Sequence, residues 1–319
     1  MGGLISLLAA LWVLLARPVI VRSRANLPAN PVDPHVLREH VGMLSQRLLP
    51  RDDRHPENLA KVADYIAASL KSAGARVTFE EFTVNNQLYK NVIAEYGPGD
   101  GPVIVIGAHY DTAGEQPGAD DNASGVAGLL ELGRLLDGKR LDTKVVLAAY
   151  SLEEPPHFGT VNMGSAVHAK ALKRDRVDVK LMISVEMIGY YSEQKNSQGF
   201  PSALLKLFYP SAGNFIIVVD RIWSNLGARV KKSLSSVIEL PVYSINAPTL
   251  IRGIDFSDHV NFWNLGYPAV MVTDTSFYRN DAYHSARDTA DRLNYSNMAQ
   301  VIFGIYHFIM QSANPGHSK

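Results

Sequence analysis

The 319-residue chain contains no cysteine, which rules out a disulfide framework, a thiolate zinc site and a cysteine nucleophile. This absence does not fix the redox compartment. Net charge is missing as well: 31 Lys and Arg balance 31 Asp and Glu. With no basic footprint, nucleic acid is not expected as a partner. Charged residues make up 19% against 46% hydrophobic, a balance that excludes disorder and supports a substantial core. Internal repeats, low-complexity tracts and a Pro/Gly linker are also lacking, so residues 26–319 read as a single domain.

Long apolar runs are scarce except at the N-terminus, where Leu4 to Ala16 (LISLLAALWVLLA) is broken only by Ser6. The run is short for a spanning helix, which needs about 20 residues, but suits the apolar region of a signal peptide. Yet no Lys or Arg precedes it, and the cleavage candidate Ser23-Arg24-Ala25 departs from the usual small-residue pattern. Arg17, Arg22 and Arg24 follow the run and argue against simple export of what lies beyond. Residues 1–25 are therefore expected to be a signal peptide or an uncleaved membrane anchor, with the remainder exported or held at a membrane.

Beyond residue 26, helical periodicity marks VDPHVLREHVGMLSQRL and HPENLAKVADYIAASLKSAG, the second starting at Pro56 and stopping at Gly74. RVTFEEFTV alternates, and KNVIAEY is its hairpin partner. PVIVIGAHYD, KVVLAAYSLEE and VKLMISVEMIG are continuous apolar runs ending in polar residues, as strands buried on both faces should be. A helix is expected at ASGVAGLLELGRLL, later strands at FIIVVD and YPAVMVTD, and a closing helix near NMAQVIFGIYHFIMQ. The pattern predicts an α/β fold, with a mostly parallel or mixed central sheet flanked by helices on both faces.

Three of these strands end in groups able to form a site. His109 and Asp111 follow one, Glu153 and Glu154 the next, and Glu186 the third; ligand sites in open α/β sheets lie beyond those strand ends. Taken singly, each has a bland explanation: a chance H-x-D triplet, a solvated acidic edge, a cap. PGADDNASG (117–125) likewise could be a turn before a helix. Together the acids repel one another unless a positive group sits between them, and a divalent metal pair would meet that need. Imidazole and carboxylate donors suit Zn²⁺, and one carboxylate can bridge two ions about 3.5–4 Å apart.

His109-Tyr110-Asp111, PGADDNASG, Glu153-Glu154 and YHSARDTADRL (283–293), in that order and spacing, resemble the M28 family of zinc aminopeptidases. SDHVNFWNLGYPAVMVTDT fits the segment before the last histidine, and the likeness runs from about Val32 to the C-terminus. The GADDNASG block is its most specific element.

The resemblance implies a two-zinc exopeptidase acting on peptides or small N-acyl or aminoacyl substrates. In it Asp121 bridges both ions and is followed by a cis peptide. Glu154 and His284 complete one site, His109 and Glu186 the other, and Asp111 orients the His109 imidazole. Glu153 is the general base that takes a proton from the attacking water and passes it to the leaving amine. Tyr283 sits where some relatives place a tyrosine on the developing oxyanion; simple packing is the alternative. Position 186 departs from the pattern, since the more familiar ligand there is Asp.

Other residues have structural readings. Asp258 and His259 should organise a loop beside the site, and Asp120 should bond nearby backbone. Asp288 should hold the His284 loop or cap the last helix. His157 lines the pocket or shapes its own loop. Ser124 or Asn122 keeps the capping role, and Trp223, Phe262 and Trp263 are expected in the core. Residues 189–257 should supply pocket walls, without a recognisable specificity determinant and without an inserted protease-associated domain. Two rival functions remain at this stage: a single-zinc glutaminyl-cyclase-like acyltransferase, and a non-catalytic relative acting as a binding domain.

Overall fold

The apolar runs assemble into one eight-stranded sheet in the computed structural model of the chain, which describes residues 2–19 and 27–314. The strands are β1 (Arg76–Val84), β2 (Gln87–Tyr96), β3 (Val103–His109), β4 (Lys144–Tyr150), β5 (Val179–Glu186), β6 (Ile216–Arg221), β7 (Val242–Ala247) and β8 (Ala269–Thr273). Their order is β1-β2-β4-β3-β5-β8-β6-β7. β3 pairs in parallel with β4 and β5, as do β5 with β8 and β6 with β7, while β1–β2, β2–β4 and β6–β8 are antiparallel. The mixed α/β sheet expected from the sequence is what forms.

Burial on both faces explains the unbroken apolar runs. In β3, Ile104, Ile106 and Ala108 point into one core while Val103 and Val105 point into the other. Burial of each such Val or Ile contributes about 1.5–3 kcal/mol. The first core is closed by α2 (Pro34–Gly42), α3 (Pro56–Ser72), α4 (Gly125–Leu136), α6 (Leu226–Ser235) and α8 (Tyr295–Ala313). The second is closed by α5 (Gly164–Arg174), α7 (His259–Asn264) and the end of α1 (Gly2–Ala16).

Two expectations are corrected. Strand β7 was not foreseen: it is short and half-exposed at its start, and parallel pairing to β6 holds it at the sheet edge. Trp223 is not core but 75% exposed, because it occupies a left-handed turn beyond the end of β6. Phe262 and Trp263 are buried as expected, and the Trp263 indole N–H donates to the Ala269 carbonyl at 2.8 Å.

The N-terminal run does form a helix, α1, and its last turn rests on β7. Lys231 Nζ donates to the carbonyls of Ala16 and Arg17, both at 2.6 Å, and Ser244 Oγ donates to Ala16 at 3.0 Å. These bonds satisfy carbonyls that a helix C-terminus otherwise leaves without partners. Leu7, Trp12 and Val13 remain exposed. The cleavage candidate Ser23-Arg24-Ala25 lies outside the described residues. No helix among the described residues is long and apolar enough to cross a membrane.

Candidate metal centre and active site

The loop 118–124 brings its acids to the carboxyl ends of β3 and β5 through backbone constraints. Gly118 has φ 55°, and a Cβ there would collide with the Asp121 carbonyl and the Thr112 methyl. The Asp121–Asn122 peptide is cis. Asn122 Oδ1 accepts from the backbone N–H of Gly125 at 3.0 Å and Met187 at 3.1 Å, while its amide donates to the Val185 carbonyl at 2.9 Å. Asn122 therefore takes the capping role at the start of α4. Ser124 Oγ instead donates to the Asp120 carbonyl at 2.7 Å and accepts from Ile188 N–H at 3.1 Å. Asp120 accepts from Gly189 N–H and the Asn280 amide, each at 2.9 Å, the structural role foreseen for it.

Asp288 ties this loop to the segment carrying His284: its carboxylate accepts the backbone N–H groups of Asp120 at 3.0 Å and Asp121 at 3.1 Å. It does not cap α8, where Asn294 accepts from Asn297 N–H at 3.0 Å.

With its neighbours so engaged, the Asp121 carboxylate is left facing two imidazoles. Its Oδ1 lies 3.3 Å from His109 Nε2 and its Oδ2 3.1 Å from His284 Nε2. Each imidazole nitrogen has a second carboxylate beside it: Glu186 Oε2 is 3.5 Å from His109 Nε2, and Glu154 Oε2 is 3.1 Å from His284 Nε2. Donor atoms of His109, Asp121 and Glu154 also lie within 4.8 Å of one another, so the two groups share Asp121 and adjoin. Glu153 stands alongside, with Oε2 4.0 Å from His109 Nε2. All five donors named from the sequence, and the acid named as base, meet in one place.

The donor set fits divalent cations. Asp121 Oδ2, Glu154 Oε1 and His284 Nε2 are buried and make no hydrogen bond, a costly state for polar atoms unless something else satisfies them. Two imidazole nitrogens and three carboxylates are the hard-to-borderline donors that zinc accepts. Glu186, the longer acid at its position, is steadied by Ser257 Oγ, which donates to Oε2 at 2.7 Å and contacts Ser184 Oγ at 2.7 Å.

The electrostatics follow from burying acids and bases together. Burial works against charge on His284, yet the Asp121 and Glu154 carboxylates push its pKa up to about 10. His109 is raised in the same way, against burial, by Glu186 and Glu153. Burial and the Asp121 charge lift Glu154 to about 8. Burial also drives Glu153 well above the carboxylate range, with His109 opposing and Glu154 adding to the rise. Asp121 moves the other way: burial would raise it, but the two imidazoles hold it low.

Asp111 has a second part beside the one expected of it. Its carboxylate accepts the backbone N–H of Glu153 at 3.1 Å and of Glu154 at 3.0 Å, fixing the acidic pair. The His109 ring is met chiefly by the Asp111 backbone carbonyl, 3.2 Å from Nδ1, with the carboxylate at 3.5 Å. Arg51 has a part the sequence did not show. Fully buried, it donates to the carbonyls of Leu44, Tyr110, Pro117 and Gly118 at 2.5–3.0 Å and so locks the Asp121 loop to the end of β3. Burial lowers its pKa only to about 10, so it stays cationic at neutral pH. RDDRHP (51–56) offers only a charge cluster as its sequence signal.

A cavity of about 220 Å³ opens from Asp121, Glu153, Glu154, Glu186 and His284. Its walls come largely from residues 198–256, as expected, and are apolar where Phe215, Ile217, Val219, Ile245 and Met271 line it. Tyr283 also lines the cavity and stacks on His284, the ring centroids 3.7 Å apart at 18°. His157 does not line it; its Nε2 lies 3.3 Å from Asp53 Oδ2 in a loop contact. His259 Nε2 meets the Ile254 carbonyl at 2.8 Å and its ring packs edge-on against Trp263, a structural placement.

The family model described as Peptidase family M28 matches residues 91–309. Uncharacterized protein YfbL of Escherichia coli (strain K12) is 50% identical over 297 residues, covering 90% of this chain and 91% of that protein. A probable leucine aminopeptidase of Arthroderma otae is 23% identical over 325 residues, covering 91% of this chain and 79% of that protein. Among solved structures, the zinc aminopeptidase BSAP from Bacillus subtilis superposes with a TM-score of 0.71 at 14% identity, covering 91% of this chain and 98% of that one. That last likeness is one of fold.

Proposed function

The chain belongs to peptidase family M28, and on that footing we propose that it is a metal-dependent aminopeptidase hydrolysing N-terminal peptide bonds. The observation that carries this reading is the Asp121 carboxylate, whose two oxygens each address a different imidazole that has its own second carboxylate. In this reading His109, Asp121 and Glu186 hold one divalent ion, and Asp121, Glu154 and His284 hold the other, zinc by donor chemistry. Such a pair supplies Lewis acidity at the scissile carbonyl and makes water a better nucleophile at neutral pH.

The chain's own groups do the rest. Glu153 accepts the proton of the attacking water and delivers it to the departing amine. Asp111 keeps that acid in place through its backbone N–H. In this reading Tyr283, on the cavity wall beside His284, donates toward the oxyanion. The apolar walls of the cavity favour an apolar first side chain.

The test is zinc-loaded protein incubated with a mixed peptide library and followed by mass spectrometry. Chelator-sensitive loss of single N-terminal residues, apolar ones first, is expected. Cyclisation of glutaminyl peptides without hydrolysis, or no reaction at all with metal bound, would overturn the reading.

α1 is read as a retained membrane anchor. It is apolar along its length, exposes Leu7, Trp12 and Val13, and is fastened to the domain by Lys231 and Ser244. Full-length protein should float with liposomes, and protein lacking residues 1–25 should stay in the soluble fraction. Full-length protein that does not float would remove the anchor.

A further inference from the structure

We propose that Arg252 recognises the free α-carboxylate of short peptide substrates, making the enzyme selective for peptides of a few residues. This rests on the aminopeptidase reading and adds the far end of the substrate to it.

Among the described residues, Arg252 is the sole Arg or Lys lining the cavity that opens from the acidic cluster. Its guanidinium lies over the Phe277 ring, 5.0 Å from the centroid, and pairs with no carboxylate among the described residues. An exposed arginine without a partner is unremarkable on an open surface. Here the position is specific, because the surrounding loop presets it. Gly253 takes φ 92°, a conformation that side chains resist, and Tyr278 Oη donates to the Arg252 carbonyl at 3.0 Å. Stacking on Phe277 further limits where the planar fork can point.

Ring contacts connect this cation to the reacting end. Phe277 and Tyr283 have centroids 5.5 Å apart, and Tyr283 stacks on His284 at 3.7 Å. The guanidinium is thus three contacts from a proposed metal ligand, a reach that about two to four extended residues cover at about 3.3–3.6 Å each. The cavity is thus lined by the acids that would hold the ions, by apolar walls, and by a single guanidinium. A short peptide with its scissile bond at the ions carries its α-carboxylate onward along those walls. A guanidinium fork is the side chain best matched to a carboxylate. Longer peptides place no charge at that distance and gain nothing from Arg252.

The experiment compares leucyl-alanine with leucyl-alanine amide, which differ only in the terminal charge, on zinc-loaded full-length protein. Wild type is expected to show a KM for the acid about tenfold below that for the amide, the scale of one partly exposed charge-assisted bond. Arg252→Ala should abolish that preference, with kcat on the acid little changed, and Arg252→Lys should keep part of it. The preference should also shrink as salt rises toward 1 M. Equal KM values for acid and amide in wild type, or a preference that survives in Arg252→Ala, would overturn the role of Arg252 alone. Hydrolysis of neither compound by wild type would overturn the aminopeptidase reading, and this inference with it.

Discussion

Glu153→Gln is expected to keep its zinc and lose turnover by roughly 10²–10⁴. Gln matches Glu in shape, and the contacts that place the residue do not depend on its charge. Its backbone N–H donates to Asp111 Oδ1 at 3.1 Å, and the residue is 5% exposed. The substitution removes only the capacity to accept a proton within reach of His109, whose Nε2 is 4.0 Å from Glu153 Oε2. Metal content should therefore match wild type by elemental analysis, while kcat on a leucyl peptide collapses and KM changes little. Full turnover in a zinc-replete Glu153→Gln protein would mean that the proton is handled elsewhere. Loss of zinc would instead make Glu153 a ligand rather than a base.

The groups that converge on this centre were legible in the sequence because strand ends announce them. His109, Glu153-Glu154 and Glu186 each close an apolar run, and the polar end of a doubly buried strand can face only the sheet's carboxyl edge. Contacts without a fixed spacing were not legible. Arg51 reaches four carbonyls between 7 and 67 residues away, and no periodicity encodes such a clamp. Asp111 was expected to serve an imidazole two residues back; its carboxylate lies 3.5 Å from that ring and also accepts two backbone amides more than forty residues on, which no spacing announces. Trp223 illustrates the opposite error: a large aromatic suggests burial, but a left-handed turn beyond β6 carries it into solvent. The cavity combines strands β6 to β8 with loops from five stretches of chain, so its apolar character emerged only once those stretches were brought together.

Asp121→Ala should lose both ions at once and remain folded. The loop that carries Asp121 is held by groups other than its carboxylate: Asp288 takes its backbone N–H, Asn122 bridges Gly125, Met187 and Val185, and Arg51 holds Pro117 and Gly118. Removing the side chain leaves those bonds in place and deletes the one residue whose two oxygens face both imidazoles. The chelated variant should stay folded but melt below chelated wild type, since the ion pairs of Asp121 with His109 and His284 are lost while the bonds that hold the loop remain (about 2–4 °C per kcal/mol for large domains). Added zinc should raise the Tm of wild type, because a ligand bound only by the native state stabilises it, and should leave the variant where it was. His284→Ala separates the two halves: it should give up one ion and keep the other on His109, Asp121 and Glu186. An Asp121→Ala protein that still binds two zinc ions per chain would dismiss Asp121 as the shared ligand. A variant that unfolds even when chelated would show that its charge, held low between two imidazoles, is part of the fold as well as of the site.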